Sequence, residues 1–84
     1  MDMFELWAYI AKDNLAAADR MVDRLNETFA RIAKLPNLGE VHVHPSREFR
    51  RFTVPPYVVI YHHQADEITI MRVLHSARRW EDLL

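Results

Sequence analysis

The chain has 84 residues, half of them apolar, with one glycine, no cysteine and a formal net charge of −1. That length suits one small domain that buries roughly 60–65% of its unfolded surface, and the missing cysteines exclude a disulfide framework and a thiolate zinc site. Near-neutral charge argues against bulk electrostatic binding to nucleic acid, and the absence of a long apolar run or a basic-led leader predicts a cytoplasmic protein without a membrane partner.

Met3, Leu6, Trp7, Ile10 and Ala11 recur at helical spacing, which predicts a short amphipathic helix over residues 2–12. Asp13-Asn14 interrupts it, and Asn14 is a natural cap for a second helix. That helix is predicted from Leu15 to Lys34, with Ala18, Met21, Val22, Leu25, Phe29, Ile32 and Ala33 as its apolar stripe. Glu27 and Arg31 on the opposite side stand in the favourable i,i+4 order. Pro36 and Gly39 end this helix, and the two-residue break between the helices predicts a helical hairpin. Trp7, Tyr9 and Phe29 fall on or beside the stripes and are expected in the core.

The rest of the chain reads as strands. Residues 41–44 are a weak candidate stopped by Pro45, residues 47–54 a stronger one turned by Pro55-Pro56. Residues 57–63 are rich in β-branched and aromatic side chains, Gln64-Ala65-Asp66 is a short hairpin loop, and residues 67–75 form the last strand. Ser76 is a candidate cap for a short terminal helix, with Trp80, Leu83 and Leu84 packing back. The expected fold is therefore α+β: an N-terminal helical hairpin on a three- to four-stranded antiparallel sheet, closed by a short C-terminal helix.

Strict alternation puts Tyr57, Val59 and Tyr61 on one face and Val58 and Ile60 on the other. In the last strand it sets Ile68, Ile70, Arg72 and Leu74 against Met71 and Val73. Both faces are apolar, so the face away from the hairpin is expected to want a partner. Charge is also uneven. Residues 1–40 carry a net −2, whereas residues 41–84 carry a net +1, hold all five histidines and use arginine as their only cation besides histidine. Arginine favours planar, bidentate contacts over diffuse attraction.

The segments Leu6-Trp7-Ala-Tyr9-Ile-Ala-Lys-Asp-Asn14, Ala17-Ala18-Asp-Arg20, Leu35-Pro36-Asn-Leu-Gly39, Arg50-Arg51-Phe52-Thr-Val54, Tyr57-Val-Val-Ile-Tyr61 and Ile68-Thr-Ile-Met-Arg72-Val-Leu-His75-Ser-Ala-Arg78 occur in a telling order. In that order and spacing the chain resembles the ParE/RelE superfamily of bacterial type II toxins, in its ParE-like branch, over nearly its whole length. The resemblance implies one toxin domain over residues 1–84, a plasmid-stabilisation type of system, and a cognate antitoxin whose C-terminal segment wraps the toxin. ParE-like members inhibit DNA gyrase; RelE-like members cut messenger RNA on the ribosome. Family members usually begin with a strand before the first helix, and this sequence begins at the helix. The expectation is that the true start lies upstream, that the chain is a truncated homologue that only binds antitoxin, or that another chain covers the sheet edge. A homodimer joined at that edge and a hetero-oligomer with antitoxin are both open.

The residues leave two chemistries to compare. RNA cleavage requires a base, an acid and cations around one phosphate, and Arg51, Arg72, His75 and Arg78 are the candidates, with Arg47, Arg50 and Tyr61 as further members. The RelE-like branch carries more lysine and a Tyr near its C-terminus, whereas here Lys12 and Lys34 lie in the helical half and no Tyr comes after the last strand. The second chemistry is binding, with Arg50, Arg51, Tyr61, Arg72, His75, Arg78 and Arg79 as candidate partner contacts. Each has an internal alternative: Arg72 paired with Asp66, Glu67 or a helix acid, His75 capping the final helix, Tyr57 and Tyr61 as core with their hydroxyls at an edge. His42 and His44 share a strand face at a spacing that permits metal binding, but no cysteine or paired acid stands near them in sequence, so no metal and no cofactor are expected.

Overall fold

The computed structural model describes residues 2–44 and 47–76, with the side chains of all of these except His44 and Arg47. Two helices precede a four-stranded antiparallel sheet: α1 spans Met3–Ala11, α2 Leu15–Lys34, β1 Glu40–His44, β2 Arg47–Val54, β3 Tyr57–Gln64 and β4 Glu67–His75. The strands lie side by side in chain order, so the sheet is a meander with β1 and β4 outermost. The terminal helix expected from Ser76, with Arg78, Arg79 and Trp80, lies outside the described residues. Among the described residues no helix is long and apolar enough to cross a membrane.

Local chemistry fixes the helix ends. Asp2 caps α1, its Oδ1 accepting from the Glu5 N–H at 2.7 Å. That hydrogen bond favours the ionised carboxylate and holds Asp2 below its ordinary carboxyl range. Asn14 caps α2 in the same way, accepting from the Ala17 N–H at 2.9 Å. The two helices form the expected hairpin, pinned across the gap by the Trp7 Nε1–H donating to Asp19 Oδ1 at 2.8 Å.

The hairpin covers one face of the sheet. Leu6, Met21, Leu25 and Ile32 pack with Val54, Tyr57, Val59, Tyr61 and Val73, and Phe29, Phe52, Ile68 and Ile70 border them. Arg31 closes one flank, its guanidinium 5.8 Å from the centre of the Phe52 ring. Three expectations about the helices change, beginning with Ala33, which lies in the expected stripe yet is exposed. Thr28, polar and outside the expected stripe, is buried because its hydroxyl donates to the Arg24 carbonyl one turn back at 2.8 Å. Tyr9, expected in the core, is 60% exposed because it sits beside the apolar stripe of α1 rather than on it.

The far face carries a second cluster of Phe49, Val58, Ile60 and Leu74, with Met71 packed against it. All four are at most 5% exposed, so this face is not the open apolar sheet expected from alternation. His42 contributes to its cover by stacking on Phe49, the rings 5.7 Å apart and nearly parallel.

The register of β4 differs from strict alternation as well. Ile60 pairs with Arg72 while Tyr61 pairs with Ile70, so Met71 is an extra residue opposite the Ile60/Tyr61 step. Such a bulge shifts every later side chain by one face. Ile68, Ile70 and Val73 therefore lie toward the helices, and Arg72 and Leu74 lie on the far side. The hairpin joining β3 and β4 is tighter than expected: Gln64 pairs with Glu67, leaving only Ala65 and Asp66 in the turn. Ala65 adopts φ 55°, a left-handed conformation that a Cβ disfavours. The Pro55–Pro56 peptide between β2 and β3 is cis, and the Pro56 carbonyl accepts from Ser76 N–H at 2.8 Å.

Candidate functional site

The candidate residues divide between the two faces of the sheet. Arg50, opposite Tyr61, lies on the helix side; Arg51, opposite Ile60, lies on the far side. Arg72 pairs with Ile60 from the other strand, so Arg51, Ile60 and Arg72 form one row across the far face, with Glu40 of β1 opposite Arg51. Arg51 is half-buried and Arg72 exposed. The row thus sets an arginine on either side of a buried isoleucine, with a glutamate at one end. A planar, fork-shaped donor on each side of an apolar floor suits carboxylates carried on an extended or helical segment.

His75 does not join that row. It pairs with Tyr57 and makes an edge contact with the Tyr57 ring, centroids 5.7 Å apart. Tyr57 belongs to the helix-side core, so His75 stands at the end of the opposite face. Burial pushes the Tyr57 phenol above its ordinary value of 10.0, with a smaller push from Tyr9.

Tyr61 and Arg50, both expected to face a partner, are engaged inside the chain instead. Tyr61 is fully buried. Its hydroxyl donates to the Pro36 carbonyl at 2.7 Å and accepts from the Gly39 N–H at 2.8 Å. Arg50 Nη1 donates to the Gly39 carbonyl at 2.7 Å and approaches the Asn37 carbonyl at 3.4 Å. These two side chains tie the loop between α2 and β1 to the sheet and satisfy its otherwise orphaned backbone groups. Gly39 fits there because a Cβ would lie 2.7 Å from both Tyr61 Cε1 and Tyr61 Oη. Nothing local in the sequence flags this arrangement, since Gly39 and Tyr61 are 22 residues apart.

Among the described residues the histidines do not gather. His62 and His63 point to opposite faces, paired with Thr69 and Ile68. His42 Nε2 lies 3.9 Å from Glu40 Oε2 while its ring stacks on Phe49. Arg78 and Arg79 lie outside the described residues.

Comparison with known proteins gives this geometry its context. The family model for the ParE toxin of the type II toxin-antitoxin system parDE matches residues 1–80. A protein named "Toxin RelE2" from Caulobacter vibrioides is 32% identical over 77 residues, covering 92% of this chain and 85% of that protein. A protein named "Putative toxin Y4kP" from Sinorhizobium fredii is 31% identical over 81 residues, covering 95% of this chain and 82% of that protein.

Proposed function

Because this chain belongs to the ParE toxin family of type II toxin-antitoxin systems, we propose that it is a toxin that acts by binding, with DNA gyrase as its target in the cytoplasm, and that a cognate antitoxin neutralises it. The observation that carries binding over cleavage is the division of the candidate residues. Cleavage of RNA without a metal needs the base, the acid and the phosphate-binding cations within hydrogen-bond reach of one another through the substrate. Arg51 and Arg72 stand on the far face and His75 on the other, which supports a docking surface more than a catalytic one. Arg51, Arg72 and His75, with Arg78 and Arg79 further along the chain, are the proposed contacts to partners. Arg50 and Tyr61 are left out of that set because both hold the loop before β1.

One observation favours a second reading, a ribosome-dependent messenger RNA endoribonuclease: a relative of 32% identity carries the name RelE2. The two readings separate in a paired assay of the purified chain. One arm measures DNA supercoiling by gyrase, the other the integrity of messenger RNA on translating ribosomes. The expected result is blocked supercoiling with accumulating cleaved DNA and intact message. Cut message with unaffected gyrase would replace the first reading by the second. Inactivity in both arms, with antitoxin still bound, would identify a homologue that only sequesters antitoxin.

A further inference from the structure

β2 outruns its outer neighbour. It spans Arg47–Val54, whereas β1 begins at Glu40, opposite Arg51. The chain before β1 leaves the sheet at Gly39, whose N–H is held by the Tyr61 hydroxyl. Phe52, Thr53 and Val54 therefore have β3 on one side and no described strand on the other. Strand periodicity says which backbone groups this exposes. The Arg51 carbonyl points toward β1, since it lies 3.0 Å from where a Cβ on Gly39 would sit. Backbone groups two residues apart point the same way, so the Thr53 N–H and C=O face the open side. Open edges of this kind accept another strand.

The open tip lies along a groove of about 280 Å³ between α2 and residues 52–55, with Arg24, Glu27 and Arg31 on its helix wall. Arg31 stands over Phe52, 5.8 Å from its ring centre, and Arg24 lies about two turns back along α2. Both arginines are exposed, and among the described residues neither has an ion-pair partner. Two arginines against one glutamate leave the wall at +1.

We propose that this groove takes an acidic segment of a partner protein in extended form, added as a short strand along the tip of β2. Register and charge set its pattern. The segment residue opposite Thr53 exchanges backbone hydrogen bonds with it and shares its face, the far one, where Thr53 pairs with Val58. The residues before and after it fall opposite Phe52 and Val54, which lie on the helix side, and so point at α2. Carboxylates at these two alternate positions meet Arg31 and Arg24. Two strand residues span about 7 Å and seven helix residues about 10.5 Å, a difference that the long arginine side chains cover. A basic segment would set like charges against both arginines, and an apolar one would desolvate them without a partner. Because the paired stretch is short, the charge-assisted contacts carry the specificity. The inference is independent of the toxin's target.

The test titrates the full chain against a fluorescein-labelled peptide of alternating glutamate and valine, with binding read by fluorescence anisotropy. A peptide of the same composition with its glutamates in one block should bind about tenfold more weakly. N-methylation of the valine amides, which removes the donor opposite Thr53, should cost about as much. Arg24→Glu and Arg31→Glu should each weaken binding by about tenfold, and the double variant should prefer a peptide with lysine in place of glutamate. Arg20→Glu, exposed on α2 outside the groove, should leave binding unchanged. All three arginines are exposed, and circular dichroism verifies that each variant is folded. No binding, equal loss in all three single variants, or indifference to N-methylation would overturn the proposal. So would loss in Arg72→Glu with the groove variants unaffected, which would move the site to the far face. A dimer in sedimentation that Arg31→Glu dissolves would put a second copy in the groove and overturn it as well.

Discussion

Arg50 and Arg51 are neighbours in the chain, yet the two faces of the sheet put them to different uses. On the helix side, Arg50 and Tyr61 turn inward and hold the loop that carries the chain from α2 into β1. On the far side, Arg51 and Arg72 border Ile60, with Arg72 open to solvent. The same residue type thus serves folding on one face and, on the function proposed above, recognition on the other, with strand parity deciding the face. Substitutions on the helix side should therefore register as lost stability. Those on the far side should register as lost binding with the fold intact.

The largest effect is expected at Gly39. Its φ is not positive, so what the position requires is space rather than glycine's conformational freedom. An added Cβ would meet Tyr61 at 2.7 Å and the Arg51 carbonyl at 3.0 Å, and neither can yield, since Tyr61 is fully buried and hydrogen-bonded on both sides. Gly39→Ala should destabilise the chain by about 3 kcal/mol, combining overpacking with lost hydrogen bonds. Urea unfolding followed by tryptophan fluorescence measures it. An unchanged midpoint would show that the loop is not held as described.

Tyr61→Phe tests the same lock from the other side. It leaves the Gly39 N–H and the Pro36 carbonyl without their partner, which should cost about 2 kcal/mol for buried groups. In the Gly39→Ala background the further loss should be much smaller, because the two residues share one interaction. Additive losses would separate the steric contact from the hydrogen bonds.

The helix-side core also carries a pH signature. Burial raises the folded-state pKa of Tyr57 above its unfolded value near 10.0. A group with a raised folded pKa contributes its full stability below the unfolded pKa and loses it as pH rises through the folded value. Thermal stability should therefore fall above pH 10, and Tyr57→Phe should flatten that alkaline decline. A decline of the same slope in the variant would assign it to other groups.

How much of this division is legible in the sequence depends on how local its causes are. α2 runs over Leu15–Lys34 as its stripe and caps predict, and β2 and β4 keep their expected bounds, because each is specified by its own residues. The bulge in β4 leaves no trace in the alternation of Ile68, Ile70 and Arg72. It arises from pairing with β3, and pairing is invisible within a single strand. The tie between Tyr61 and Gly39 is hidden for a similar reason, being a contact across the fold between a residue that reads as core and one that reads as a helix stop. Thr28 escapes the apolar stripe because a hydroxyl that bonds its own helix backbone is buried as if it were apolar.

A smaller effect of opposite sign is expected at the turn after β3. Ala65 sits at φ 55°, where glycine has no steric cost and alanine is strained by its Cβ. Ala65→Gly should raise stability by about 0.5–1 kcal/mol, read as a higher urea midpoint at unchanged slope. A drop would mean that chain entropy outweighs the relief, and that the turn is less strained than its backbone angle suggests.

The smallest effect on stability should come from Arg72, and that near-silence gives the comparison its clearest test. The side chain is exposed on the far face, and substitutions of exposed residues outside the core usually change stability by less than about 0.5 kcal/mol. Arg72→Ala should unfold at the urea concentration of the parent chain. If the far face recognises an acidic partner, the same change removes a charge-assisted contact, which should weaken antitoxin binding by about tenfold or more. Titration calorimetry with the antitoxin measures this directly, and rising salt should weaken the parent complex more than the variant. Should Arg72→Ala leave both stability and binding untouched, the recognition surface would have to lie elsewhere. Parity would then account for the internal role of Arg50 but not for any outward role of its counterparts.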